Sequence, residues 1–200
     1  MAKVLSSVPA SRFDKFDVHF PADWEVKYLD FPYTDEQMIE GAKDADFIFV
    51  NATHPVSAAV IAACPNVKLI HSEGVGYDKI DFAAAKEAGI PVCNNAGTNA
   101  GAVAEHTIGL ILAGLRRTAL TDRQVRTIGF AASKGQFLAE GQNELAGQHI
   151  GLVGIGAIGR EVVKRLQGWG CTISYYDVFR PSEEIEKSIG VTYLPFEELP

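Results

Sequence analysis

Gly154-Ile155-Gly156-Ala157-Ile158-Gly159 sets three glycines in the spacing G-x-G-x-x-G, directly behind the apolar run Ile150, Leu152 and Val153. A loop of this kind holds a diphosphate. Its first glycine makes the tight turn, the second leaves main chain bare for the pyrophosphate, and the third lets the following helix approach the strand. Free N–H groups and the positive end of the helix dipole then face the anion. Asp177 ends the next apolar run, near the spacing of about 20 residues at which a carboxylate reaches the ribose 2′-hydroxyl of a dinucleotide. A carboxylate there repels a 2′-phosphate and favours NAD over NADP, although Arg180, three residues on, is a group able to turn toward such a phosphate. The bland alternative is a turn that binds nothing, with Asp177 as an ordinary turn former. It is disfavoured because strand, loop, helix, second strand and acid stand in order.

Those residues need a parallel sheet behind them. Short β-branched or aromatic runs, Lys3 to Leu5, Trp24 to Leu29, Asp46 to Val50, Val67 to His71 and Pro91 to Asn94, read as strands separated by helices. Thr34 to Gln37 has capping-box spacing and opens one helix; Ser57 to Ala63 and Asp81 to Ala88 supply others. Strands joined by single helices are parallel, so residues 1–97 form a small doubly wound α/β unit. The small residues Gly97 to Gly101 mark a hinge, followed by one long helix from Val103 toward Arg126 and an irregular arm from Ile128 to Gly147. A second strand-helix-strand unit then runs through His149 to Val153, Glu161 to Trp169 and Thr172 to Tyr176, with Val191 to Leu194 as a further strand and a helix start at Phe196 to Leu199.

Eighteen Lys and Arg against 25 Asp and Glu give a net charge of -7, which repels a nucleic-acid backbone or an anionic membrane. Hydrophobic residues at 47% and charged residues at 22% exclude wholesale disorder. The apolar stretch Ile108 to Leu115 is far shorter than the roughly 20 residues of a bilayer span, and Met1 to Ala10 is too brief a leader. Cys64, Cys93 and Cys171 form no C-x-x-C pair, so neither a disulfide framework nor a metal site is expected, and the reading is a cytoplasmic protein.

Three stretches together resemble the NAD-dependent D-isomer-specific 2-hydroxy acid dehydrogenases: Gly74-Val75-Gly76-Tyr77-Asp78-Lys79-Ile80-Asp81, then Val103-Ala104-Glu105-His106-Thr107 with its long helix to Arg116-Arg117, and Glu144-Leu145-Ala146-Gly147 leading into the glycine loop. The resemblance implies a flavodoxin-like substrate domain over 1–97, followed over 98–200 by the first half of a Rossmann-type doubly wound cofactor domain. It implies that the N–H groups of Val75 and Gly76 face the substrate carboxylate, with Val75 also near the nicotinamide end of NAD. Gly154, Gly156, Ala157, Ile158 and Gly159 then hold the pyrophosphate and Asp177 the adenosine ribose. The family moves a hydride between NAD(H) and a small D-2-hydroxy or 2-keto acid, and a homodimer formed through the cofactor domain is a further implication.

In that family an arginine, an acid and a histidine complete the chemistry. By the resemblance all three lie beyond Pro200, so no catalytic residue is assigned within this chain. Glu105 and His106 are helix neighbours pointing about 100° apart and cannot serve as the acid–histidine pair. His19, His54, His71 and His149 read as structural or surface residues. Too few strands follow Asp177 to flank Ile150 to Val153 on both sides, which leads to the expectation of a piece of a longer protein, unstable and catalytically silent alone. Ala96 stands where the family often has proline. No arginine lies in the Asn51 or Ser72 loops and Glu73 is adjacent, which favours an unphosphorylated acid such as glyoxylate or hydroxypyruvate over phosphoglycerate. The competing functions are a non-catalytic NAD-sensing corepressor-like protein and a formate- or phosphite-oxidising relative.

Overall fold

A computed structural model describes residues 1–200 as two units, Met1–Thr98 and Asn99–Pro200. In the first, β1 (Lys3–Ser6), α1 (Ala10–Lys15), β2 (Glu25–Tyr28), α2 (Asp35–Ala42), β3 (Phe47–Val50), α3 (Ala58–Ala63), β4 (Leu69–Ser72), α4 (Phe82–Glu87) and β5 (Val92–Cys93) alternate. The strands form one parallel sheet in the order β2-β1-β3-β4-β5, the flavodoxin-like order. Alternation along β3 shows why both faces are covered. Ile48 and Val50 are buried in the core with Met38 of α2, Val60 of α3 and Ala85 of α4. Phe47 and Phe49 point the other way, into aromatic contacts with Trp24, Phe13 and Phe20.

The capping box at Thr34 is present in full: the Gln37 N–H donates to Thr34 Oγ1 at 3.3 Å and the Thr34 N–H donates to Gln37 Oε1 at 2.9 Å. Thr34→Ala is expected to lower stability by about 1 kcal/mol in denaturant unfolding. No loss would mean that α2 is held by its packed face alone.

The second unit contains α5 (Ala100–Leu115), α6 (Thr118–Ile128), α7 (Phe130–Glu140), β6 (His149–Val153), α8 (Ala157–Leu166), β7 (Thr172–Tyr176), α9 (Glu183–Ile189), β8 (Thr192–Tyr193) and a 3-10 turn at Phe196–Glu198. Its parallel sheet runs β6-β7-β8, so the strand feeding the glycine loop ends the sheet on one side. Ala104 and Ile108 of α5 share a core with Val162, Val163 and Leu166 of α8 and with Tyr175 of β7.

Several expectations need correction. The long helix from Val103 toward Arg126 is two helices, broken where Arg117 takes a left-handed conformation with φ 51°. Glycine or asparagine usually marks such a break, so an arginine gives no warning of it. The stretch from Ile128 to Gly147 contains a helix, α7, whose weak propensity at Ser133 and Gly135 is outweighed by contact with α6; Arg117 pairs with Glu140, and Gln124 donates to Gln136 at 2.8 Å. The helix after the glycine loop starts at Ala157 rather than Glu161. Helix α9 had no counterpart in the sequence reading, although Ser182, three glutamates in the first turn and a left-handed Gly190 bracket it. No helix is long and apolar enough to cross a membrane.

Candidate functional site

A loop in each unit presents main-chain N–H groups that find no acceptor in the chain. In the second unit the β6–β7 ladder continues past the strand ends: the Gly154 N–H donates to the Tyr176 carbonyl at 2.8 Å and the Ile155 N–H to Asp177 Oδ2 at 2.8 Å. The chain turns at Gly154, whose φ of 99° suits glycine, while the Ile155 side chain is buried at 3% exposure. Gly159 sits in the first turn of α8 hard against this turn, and a Cβ there would fall well inside contact distance of the Gly154 carbonyl oxygen. Above Gly156 there is open space. No side chain caps α8, and the N–H groups of Gly156, Ala157 and Ile158 find no acceptor in the chain. A diphosphate fits this donor set.

Asp177 also accepts from the Phe179 N–H at 2.9 Å. The Ile155 N–H, and after it the Phe179 N–H, hold its carboxyl below the usual carboxylate range, so it is anionic at neutral pH. Each carboxylate oxygen keeps a lone pair for a sugar hydroxyl. Arg180 is committed elsewhere: Nε and Nη2 donate to Glu186 Oε1 and Oε2 at 2.7 and 3.0 Å, and the guanidinium lies 4.5 Å from the centre of the Tyr193 ring. Buried Tyr175 donates to the same Glu186 at 2.6 Å. The guanidinium, and after it the Tyr175 hydroxyl, hold Glu186 down to about 2, whereas burial, then Glu186, push Tyr175 up to about 12.

In the first unit the loop after β4 is pinned by its carbonyls. Asn95 Nδ2 donates to the Glu73 carbonyl at 2.7 Å and the Asn95 N–H to that of Gly74 at 2.9 Å. Asn94 Nδ2 holds the Val75 carbonyl and Ser72 Oγ the Gly76 carbonyl, both at 2.6 Å. In a trans peptide the next N–H points opposite the carbonyl, so fixing these oxygens turns the Val75 and Gly76 N–H groups outward, and neither has an acceptor in the chain. The backbone is pressed against the β3 loop: a Cβ on Gly74 would lie 2.7 Å from that of Ala52. Such a pair of donors can seat a carboxylate.

Sequence reasoning missed the side chains that flank this loop. Arg12 of α1 pairs with Glu73 at 3.1 Å, and Asn51 Nδ2 donates to the other Glu73 oxygen at 2.5 Å. An arginine therefore does stand beside the Asn51 and Ser72 loops, with its charge answered by Glu73. Arg12, Lys15, Ser7, Asn51 and His54 line a cavity of about 410 Å³ there. His54 stacks on Phe31 at 4.1 Å and meets Ser7 Oγ at 2.9 Å, and burial lowers its pKa. His71 stacks on Phe49 at 5.2 Å. Glu105 points to Arg165 at 3.1 Å while His106 is exposed, so these neighbours do not act as a pair.

Residues 4–190 match the family model for the D-isomer specific 2-hydroxyacid dehydrogenase catalytic domain. The glyoxylate reductase of Korarchaeum cryptofilum is 34% identical over 197 residues, 98% of this chain and 58% of that protein. The D-3-phosphoglycerate dehydrogenase of Archaeoglobus fulgidus is 36% identical over 164 residues, 82% of this chain and 30% of that one. The crystal structure of D-lactate dehydrogenase from Aquifex aeolicus complexed with NAD and lactic acid superposes with a TM-score of 0.76 at 25% identity, covering 98% of this chain and 56% of that one. The chain thus spans little more than half the length of the first of these relatives and less of the second. With sequence, sheet order and glycine loop in agreement, the chain belongs to the D-isomer specific 2-hydroxyacid dehydrogenase family.

Proposed function

We propose that this chain supplies the NAD-holding and carboxylate-holding parts of a reductase or dehydrogenase acting on a small D-2-hydroxy or 2-keto acid. The observation that carries the reading is the open row of N–H groups at Gly156, Ala157 and Ile158, with anionic Asp177 anchored beside it. Gly154 and Gly159 shape the loop, the free N–H groups take the diphosphate, and Asp177 takes the adenosine ribose. Val178 and Phe179, 75% and 86% exposed next to Asp177, offer apolar surface to a purine. Bound NADH supplies a hydride to the keto carbon, and with one proton the product is the 2-hydroxy acid. The N–H groups of Val75 and Gly76 hold the substrate carboxylate and fix which carbon is presented.

The substrate class is an unphosphorylated acid of the glyoxylate or hydroxypyruvate kind. Arg12 is neutralised by Glu73, so a doubly charged phosphate would meet a carboxylate next to its only guanidinium in that cavity. A homodimer through the α5–α7 region is supported by exposed Leu110, Phe130 and Leu138. Residence in the cytoplasm is supported by three cysteines that remain unbridged.

Calorimetric titration with NADH tests the reading. Asp177→Ala removes a charged acceptor for two hydroxyls, about 1.5–3 kcal/mol, and affinity should drop roughly 10- to 100-fold. No heat from the parent protein, or an Asp177→Ala protein that binds NADH equally well, would overturn it.

A further inference from the structure

We infer that Glu186 is a cofactor-specificity residue, acting by holding Arg180 away from the place where a 2′-phosphate would sit. This rests on the dinucleotide reading of the glycine loop and extends it to the choice between NAD and NADP.

Arg180 follows Asp177 by three residues, which at full extension is about 10 Å of chain, and the Phe179 N–H folding back onto Asp177 shortens the path. A guanidinium so close to the ribose site is the group that would recognise a 2′-phosphate. Yet Arg180 makes no ion pair with Asp177; both of its bonded nitrogens face Glu186, and its plane covers the Tyr193 ring. The holder is itself fixed. Glu186 is 7% exposed and accepts from Tyr175, which is fully buried in the sheet. Releasing Arg180 would strand a buried carboxylate, so the arginine stays on α9 and the ribose site keeps only the negative charge of Asp177. Two devices thus act against NADP: repulsion by Asp177, and removal of the arginine that follows it in the chain; the other guanidinium near the loop, that of Arg160, donates to the Ile155 carbonyl at 3.1 Å.

Titration of the protein with AMP and with adenosine 2′,5′-bisphosphate, followed by calorimetry, reads the adenosine half alone. In Asp177→Ala, repulsion is gone but the clamp remains, so bisphosphate affinity should stay within about twofold of AMP affinity. Adding Glu186→Gln, which keeps the volume and the Tyr175 contact, should free Arg180 and raise bisphosphate affinity at least tenfold relative to Asp177→Ala. Adding Arg180→Leu to that double variant should abolish the gain. Tyr175→Phe breaks the other arm of the same buried network, and should lower the melting temperature without moving the bisphosphate-to-AMP ratio.

Equal bisphosphate affinity in Asp177→Ala with and without Glu186→Gln would overturn the inference, as would a ratio that shifts in Tyr175→Phe. Should Glu186→Gln fail to fold, Asp177→Ala/Arg180→Leu decides. A clamped arginine predicts no change from Asp177→Ala, and a loss of bisphosphate binding would show that Arg180 was free all along. Failure of the parent to bind either AMP or NADH would instead sink the dinucleotide reading and the inference with it, whereas AMP binding with the wrong ratio sinks the inference alone.

Discussion

Alanine at Gly159 is expected to remove NADH binding and to lower stability by about 2–3 kcal/mol, whereas alanine at Gly156 should remove the binding and leave the melting temperature within a degree or two. The two positions lie three residues apart in one loop, and their surroundings are opposite. A methyl at Gly159 meets the Gly154 carbonyl oxygen, which is backbone and cannot swing aside. The first turn of α8 must lift from the strand end, taking with it the Ile155 N–H that holds Asp177 and the buried Ile155 side chain. Overpacking of this kind costs in the range quoted because several contacts shift together. A methyl at Gly156 meets nothing in the protein. It would occupy the space in which a pyrophosphate approaches the free N–H groups, so its cost appears only when the ligand is present. Paired thermal melts and NADH titrations separate the two. If Gly156→Ala melts many degrees lower, or if it binds NADH as the parent does, the open space above the loop is not a ligand site.

This contrast also shows which features the sequence made readable. Strand, glycine loop, helix start, second strand and Asp177 are contiguous, and each step is set by near neighbours: a positive φ at Gly154, a close approach at Gly159, a ladder from β6 to β7 that delivers Asp177 to the Ile155 N–H. Local chemistry of that kind leaves a spacing in the chain. The break at Arg117 leaves none, because arginine has no preference for the left-handed backbone it takes there, and the Glu140 it pairs with lies far along the chain. Helix α9 does leave a signal, in Ser182 and Gly190. The state of Arg180 was undecidable from the chain alone: an arginine three residues from a ribose-binding acid reads as a threat to NAD selectivity until its partner, Glu186, is seen. In the first unit the Gly74–Gly76 loop was legible as a stretch of sequence and by family resemblance, but the reason its N–H groups face outward was not. That reason lies with Ser72, Asn94 and Asn95, which reach the loop from β4 and from beyond β5. Arg12, brought to Glu73 by the β1–α1 connection, is another long-range neighbour that no local pattern announces.

The pinned carbonyls lead to the other large expected effect. Asn94→Ala should weaken binding of a small carboxylate such as oxalate roughly 10- to 100-fold, corresponding to loss of a charge-assisted bond of about 1.5–3 kcal/mol. With Asn94 Nδ2 gone, the Val75 carbonyl has no donor, and the peptide between Val75 and Gly76 is free to rotate. Turned over, it offers an oxygen to the anion where it had offered an N–H, so attraction becomes repulsion. Asn94→Asp should be worse, since an ionised aspartate has no proton to donate and adds a negative charge beside the loop. Stability should change little, because Asn94 is only half-buried and water can solvate the released carbonyl. The N–H groups proposed for the diphosphate and the acid proposed for the ribose belong to the other unit, so affinity for AMP, which reads the adenosine half, is expected to hold while oxalate affinity falls. Backbone amide shifts of Val75 and Gly76 during an oxalate titration give the direct readout: both should move in the parent and neither in Asn94→Ala at the same concentration. Unchanged oxalate affinity in Asn94→Ala would mean that the loop keeps its N–H groups outward without the asparagine, and the carboxylate seat would then rest on the Ser72 and Asn95 bonds and on the squeeze of Gly74 against Ala52.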